Sequence, residues 1–287
     1  MAVAEAPANR LVLDRRLGTR LRDARKHAKA TQAAAAKALK VTHATISNFE
    51  RGEYEPTVQQ LEVLLGVYGV EAGLREQTIA LLRAAQESPR AWWDDYTDLF
   101  TTAATFRFWA YEDAADTHLI YSGPLVPGNL QTREFAERLA DFYHPSQGRD
   151  YRRRFVESRL KRFQVVERAE RLEFVCSEVA LRSRVGGAEV HQRQVEKLVE
   201  VAQRPNVSFR VIPIEAEMSS LSGNTFTVLE YNFPEDPSVL FSNLPRSGLL
   251  STDEREVDAE VGRFRAIQKS ALSDDATLAL LKEVAQQ

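Results

Sequence analysis

The chain has 287 residues and one cysteine, Cys176. A single thiol excludes a disulfide framework and a thiolate metal cluster, and it fits a reducing cytoplasm, the expected location. Histidines are few as well. His27, His43, His118, His144 and His191 include no pair at metal-ligand spacing. There is no Gly-x-Ser-x-Gly elbow and no glycine loop of the kind that cradles phosphates. No apolar run approaches the roughly 18 residues of a membrane span, and the amino terminus lacks the charged-then-apolar order of a signal peptide. No catalytic residue, metal or cofactor is therefore expected. Glu178, beside a strand end, is the best single acid-base candidate, but Arg182 and Arg184 lie close enough in sequence to pair with it.

What is present is the composition of a soluble globular chain, 44% hydrophobic and 28% charged, long enough for two domains. Charge is unevenly spread. Residues 1–51 hold four Lys and seven Arg against Glu5, Asp14, Asp23 and Glu50, a net of +7; with −3 overall, the remainder carries −10. A basic amino-terminal end on an acidic body suits a module that meets phosphates, and by charge alone would equally suit another polyanion or a membrane surface.

Residues 31–52, TQAAAAKALKVTHATISNFERG, carry the sharpest pattern. Thr31 can cap a helix over Gln32 to Leu39, with Ala36 and Leu39 facing a core. Thr42 can cap a second helix running to about Arg51, in which Ile46 and Phe49 point inward while His43, Ala44, Ser47 and Asn48 point outward. Gly52 is a natural stop. The spacing predicts two short helices joined by a tight turn, the second fit for the major groove of DNA. Around it, Leu17, Leu21, Ala24 and Ala28 recur at helical spacing, Thr57 to Gln60 form a capping box ahead of Val58, Leu61, Leu64, Leu65 and Tyr68, and a fifth helix follows Val70 with Leu74, Leu81, Leu82 and Ala85.

This segment resembles the lambda-repressor-type helix-turn-helix of the XRE family at Thr31, Gln32, Ala36, Leu39, Val41, Ile46, Ser47, Glu50, Arg51 and Gly52. Two positions depart from that pattern. Lys40 stands where a turn glycine is usual, implying either a left-handed lysine strained by roughly 1–2 kcal/mol or a different turn, and Ala35 replaces a leucine. The resemblance implies a five-helix domain over residues 10–88 that binds a double-stranded DNA operator. It makes His43, Ala44 and Asn48 the base readers, with Thr42 and Thr45 nearby. Gln32 would contact a phosphate or an adjacent side chain, Arg51 would reach the DNA backbone, and Glu50 would tie the helix end to a basic neighbour.

The boundary is expected at Ser88-Pro89, since proline cannot continue a helical ladder. Residues 1–9 are alanine-rich and expected to be a disordered tail. Beyond the boundary, Trp92, Trp93, Tyr96, Phe100, Phe106, Phe108, Trp109 and Tyr111 crowd into the 22 residues 90–111. They read as core or dimer interface or, alternatively, as an effector pocket built on Trp92, Trp93, Trp109 and Tyr111. Pro127-Gly128 reads as a type II turn, and Thr132 as the cap of a helix holding Phe135, Leu139 and Phe142. Residues 149–171 hold eight Arg and one Lys, read as a solvated helix laced with ion pairs. Strand alternation follows at 172–177, 207–212, 225–231 and 238–241, with a helix from Ala188 to Gln203 between the first two in the manner of a crossover unit. Ser251 and Glu254 read as a capping box for a helix to about Lys269, and Ser273 as the cap of a last helix. The fold class is therefore α+β: an all-α five-helix domain, then a mixed α/β domain at 89–287 with a small sheet and flanking helices.

The order of the Trp-Trp pair, Glu112 with Ala114 and Ala115, Val126 to Thr132, Glu178 to Arg182, Val185 to Gly187, Pro205 to Val207 and Val211 to Pro213 resembles the carboxyl-terminal domain of the actinobacterial WhiJ-like regulators. Asn129 stands where leucine is usual. The resemblance implies a transcription regulator, a homodimer whose carboxyl-terminal domain senses a partner or effector, commonly encoded beside a small acidic companion protein. It leaves open an antitoxin-like role of sequestering that companion, and a small-molecule sensor.

Overall fold

The computed structural model describes residues 9–99, 102–216, 224–233, 236–244 and 247–286. Apart from Asn9, the expected tail lies outside these residues. The chain divides into two compact units, one of residues 1–92 with 232–236 and one of 93–231 with 237–287.

The first unit contains α1 (Arg10–His27), α2 (Gln32–Leu39), α3 (His43–Glu50), α4 (Val58–Val67) and α5 (Ala72–Glu87). Each of the first four is opened by a side chain that satisfies a first-turn N–H. Asn9 accepts from Val12, Thr31 from Ala34 and Thr42 from Thr45, and Thr57 with Gln60 closes the reciprocal capping box. Leu17, Leu21, Ile46, Phe49, Leu61, Leu64, Leu65 and Leu82 form the core, with Ala35 and Ala36 fully within it. Each buried leucine or phenylalanine contributes on the order of 1.5–3 kcal/mol. The turn between α2 and α3 is made by a left-handed lysine: Lys40 has φ 55° and ψ 40°. Gly52, at φ +66°, ends the motif where a Cβ would meet the Asp14 carbonyl oxygen at 2.7 Å. A second glycine was not anticipated. A Cβ on Gly18 would come within 2.7 Å of the Phe49 carbonyl oxygen, so α1 lies directly on the end of α3. Ala28, expected on the core face, follows the helix end and is exposed, and Leu74 is 39% exposed.

The second unit is built on a six-stranded sheet in the order β3-β2-β1-β4-β5-β6. The strands are β1 (Thr117–Gly123), β2 (Arg171–Ser177), β3 (Val207–Ile212), β4 (Phe226–Glu230), β5 (Val239–Leu244) and β6 (Ser247–Ser251). The first three run parallel; β4 lies antiparallel to β1 and is followed by an antiparallel meander. Helices cover both faces: α6 (Ala103–Ala114), α7 (Arg133–Tyr143), α8 (Arg149–Lys161), α9 (Gln164–Arg168), α10 (Glu178–Arg182), α11 (Ala188–Ala202), α12 (Glu254–Ser270) and α13 (Asp274–Val284). Alternation sorts the strand residues. Ile120, Leu172, Phe174 and Cys176 join a core with Phe135, Leu198 and Leu281, while Leu119, Tyr121, Val175 and Phe226 join one with Phe264 and Ile267. The expected crossover is present, with α11 between the parallel neighbours β2 and β3.

Three local expectations are corrected. Gly128 does not take a positive φ; Pro127-Gly128 opens a short 3-10 turn over Gly128–Leu130 instead of a type II turn. Phe142 is 76% exposed: it continues the face of Phe135 and Leu139 but lies in the last turn of α7. The cap of α12 is Asp253, accepting from Arg255 and Glu256, while Ser251 accepts from Asp253 itself. The run Trp92–Leu99 folds as a 3-10 segment. Two strands, β1 and β6, escaped the sequence reading. β1 is buried on both faces and therefore shows no alternation.

Candidate functional site

The outer face of α3 is set by what its inner face holds. Ile46 and Phe49 are in the core, which leaves Thr42, His43 and Ala44 exposed and Thr45, Ser47 and Asn48 half-buried along one side. The rotation of α3 is fixed by Glu50. Arg25 of α1 donates to both its oxygens, Nε at 2.6 Å and Nη2 at 2.9 Å, and Gln32 of α2 adds Nε2 at 2.7 Å. Three helices thus meet on one buried carboxylate, which makes the end of α3 a rigid joint. The Glu50 hydrogen bond holds the Arg25 pKa above its ordinary value. Burial and the nearby Glu50 charge push Tyr68 up to about 12.

Gln32 accordingly meets an adjacent side chain, and Glu50 meets a basic one. Arg51 bonds to Ser47 Oγ, Asn48 Oδ1 and Glu53. That contact orients the Asn48 amide while leaving its Nδ2 hydrogens to face outward chemistry.

A second carboxylate group lies at the foot of α1. Asp14 hydrogen-bonds Glu55, and Arg10 donates to Glu55 Oε1 at 2.8 Å. Burial first, then the Glu55 charge, raises the Asp14 pKa to about 7.

The second unit carries an open cavity of about 630 Å³. It is lined by apolar side chains, among them Phe108, Trp109, Leu139, Phe155 and Phe226, and by polar ones, Ser122, Asn129, Gln131, Arg159 and Arg162, with Arg159 over the Phe155 ring and Arg162 over Phe108 and Trp109. Arg162 is matched by buried Glu112, to which it donates from Nε and Nη2, both at 2.7 Å. Arg159 is not matched. Its Nη1 donates to the neutral Gln131 Oε1 at 3.0 Å, and no carboxylate pairs with it among the described residues. Of the expected pocket residues, Trp109 lines this cavity; Trp92, Trp93 and Tyr111 do not.

A family model described as "Domain of unknown function (DUF5753)" matches residues 106–283, most of the chain. The chain belongs to the DUF5753 family. A second model, a helix-turn-helix domain, matches residues 16–77, so the DUF5753 region follows a helix-turn-helix domain. The chain is 48% identical over 48 residues to the HTH-type transcriptional regulator DicA of Escherichia coli (strain K12). That stretch is 17% of this chain and 36% of DicA, so the chain spans about a third of the length of that relative. No solved structure matches.

Within the DUF5753 region Glu178 is held on both oxygens, by Arg182 at 2.6 Å and by the Ile214 backbone N–H at 3.1 Å. It does not line the cavity. Cys176 is buried and its thiol is pushed up to about 12 by burial alone, far from a reactive thiolate. Buried His118 bonds the Ala115 carbonyl through Nε2, and burial lowers its pKa. Among the described residues no group of three or more His, Cys, Asp or Glu is arranged to hold a metal, and no helix is long and apolar enough to cross a membrane. Sequence reasoning took residues 149–171 for a solvated helix. Arg153 fits that reading, bonding Asp150 and Glu157, but Arg159 and Arg162 face the cavity instead. The i,i+3 spacing of Arg159 and Arg162 was visible, whereas their partners, distant in sequence, were not.

Proposed function

We propose that the chain is a sequence-specific DNA-binding transcription regulator that acts as a homodimer, with α3 in the major groove and the DUF5753 region sensing an effector. The observation that carries the DNA-binding reading is the joint at Glu50, which holds α1, α2 and α3 in one geometry while His43, Ala44 and Asn48 stay on the outer side. His43 reads a guanine acceptor, and Asn48 pairs with adenine through its amide. Thr42 and Thr45 flank them, Gln32 fixes the register, and Arg51 contacts phosphate. The name of DicA and the basic amino-terminal end agree with this role. The junction at Ser88-Pro89 separates the residues 10–88 that bind the operator from the residues 89–287 that dimerise and respond. A dimer of this kind holds its recognition helices about 34 Å apart or a multiple of it.

Gel-shift titrations on an operator selected with this protein test the assignment. Asn48→Ala is expected to cost on the order of 1–3 kcal/mol on the operator and little on random DNA, whereas Arg51→Ala lowers both alike. Equal losses on both DNAs for Asn48→Ala would remove it as a base reader.

Of the two alternatives, the cavity favours the small-molecule sensor over sequestration of an acidic companion, because it is of ligand size and has both apolar and polar lining.

A further inference from the structure

A cation without an anion is expensive to keep inside a protein. Arg159 sits over the Phe155 ring at 4.5 Å, its Nε sealed from solvent and without a hydrogen-bond partner. Burial and the neighbouring Arg162 charge push its pKa down to about 10. Two further buried donors of the same lining lack partners, Asn129 Nδ2 and Ser122 Oγ. Asn129 and Ser122 are more than nine-tenths buried, Arg159 is half-buried, and all three line the cavity. Folding alone does not favour three unsatisfied polar groups around one void, since each costs about 1–3 kcal/mol.

The backbone is arranged to let this cluster form. A Cβ on Gly128 would stand 2.9 Å from Arg159 Nη1 and 3.3 Å from Arg162 Nη1, so both guanidinium groups come up against the main chain at that residue. The charge among these side chains is small and definite. Glu112 cancels Arg162, leaving one positive charge on Arg159. Aromatic and aliphatic side chains make up the rest of the lining, a surface that no purely polar ligand would need, in a volume within the 300–1,000 Å³ of ordinary ligand sites.

We infer that this cavity binds an amphipathic organic monoanion, a carboxylate whose two oxygens meet Arg159, Asn129 and Ser122 while its apolar body lies against Phe108, Trp109 and Phe226. Planar bidentate recognition is what an arginine fork does best, and one net positive charge matches a carboxylate better than a phosphate dianion. The inference deepens the effector-sensing part of the proposed function and rests on it only for the regulatory consequence. Binding in the cavity itself stands apart from DNA binding.

The test uses the full chain and naphthylacetate as probe, followed by thermal shift, calorimetry and tryptophan fluorescence. Trp109 is the reporter, and Trp109→Phe should silence the fluorescence change without abolishing binding. Naphthylacetate is expected to bind at least about ten-fold more tightly than the neutral naphthylacetamide and than acetate alone. Arg159→Met should remove that preference, and Arg159→Lys should restore part of it. Should Arg159→Met fail to fold, the acid-amide contrast on the unaltered protein decides the same point. Equal affinity for acid and amide, no binding of either, tighter binding of naphthyl phosphate, or an Arg159→Met variant that keeps the preference would each overturn the assignment. Operator binding without ligand, measured in parallel, tells its failure from a failure of the DNA-binding reading.

Discussion

Among the described residues an arginine takes both oxygens of a buried glutamate once in each unit, and the two forks leave different surroundings. In the helical unit Arg25 and Gln32 converge on Glu50, and the carboxylate is fully used. In the DUF5753 region Arg162 takes both oxygens of Glu112, and Arg159, one turn earlier on α8, is left facing a void. The chemistry of the two pairs is nearly the same; what differs is the tally of donors and acceptors around them. Where the tally closes, the ion pair fixes a helix for use elsewhere. Where it is left one anion short, the site itself is the point of use.

The comparison can be broken most forcefully at Glu50. Glu50→Ala leaves Arg25 buried and unmatched, at an expected cost of about 3–5 kcal/mol measured by urea unfolding. A loss below about 1 kcal/mol would mean the joint is decorative. The next effect is one of pH. The folded state holds on Asp14 a proton that the unfolded chain releases at its ordinary value of 3.8, so stability should fall as pH rises from there to about 7 and flatten above. Asp14→Asn should remove that slope from melting curves; an unchanged slope would assign it elsewhere. Lys40→Gly relieves the left-handed lysine and should stabilise by ~1 kcal/mol in the same assay. Smallest of all is Arg159→Met, expected to lie within about 1 kcal/mol of the parent or above it, because no carboxylate is stranded by it. If Arg159→Met cost as much as Glu50→Ala, the distinction between the two forks would fail.

The two units also differ in how much of them the sequence discloses. Caps at Thr31, Thr42 and Thr57 and the inward pair Ile46 and Phe49 are local signals, readable within a turn or two of helix, and the structure carries each of them. Lys40 presented a choice of two turns, and packing decided for the left-handed one. In the second unit the alternating strands and the crossover were legible. β1 was hidden by burial on both faces, and Gly18 and Gly128 gave no sign of the close approaches they permit. The cavity was the least legible part. The aromatic cluster pointed toward it, yet of its four nominated residues Trp109 alone lines it, and the polar lining joins residues from β1, the turn after it and α8. Such a site is defined by what is missing beside a side chain, and sequence spacing carries no record of that.

The place of β1 in the middle of the sheet has a consequence for the order in which the chain matures. Thr117 faces Arg171 on one side and Glu230 on the other, so the sheet closes only after distant segments have been made. Helices α1 to α5 come from one continuous stretch of chain, residues 10–87, whose contacts span shorter loops than those that close the sheet. Synthesis from the amino end completes helices α1 to α5 while β4, and the residues 232–236 that join the same unit, are still unmade. A nascent chain therefore holds the five helices before the cavity exists, since Phe226 and Thr227 of β4 supply part of its lining.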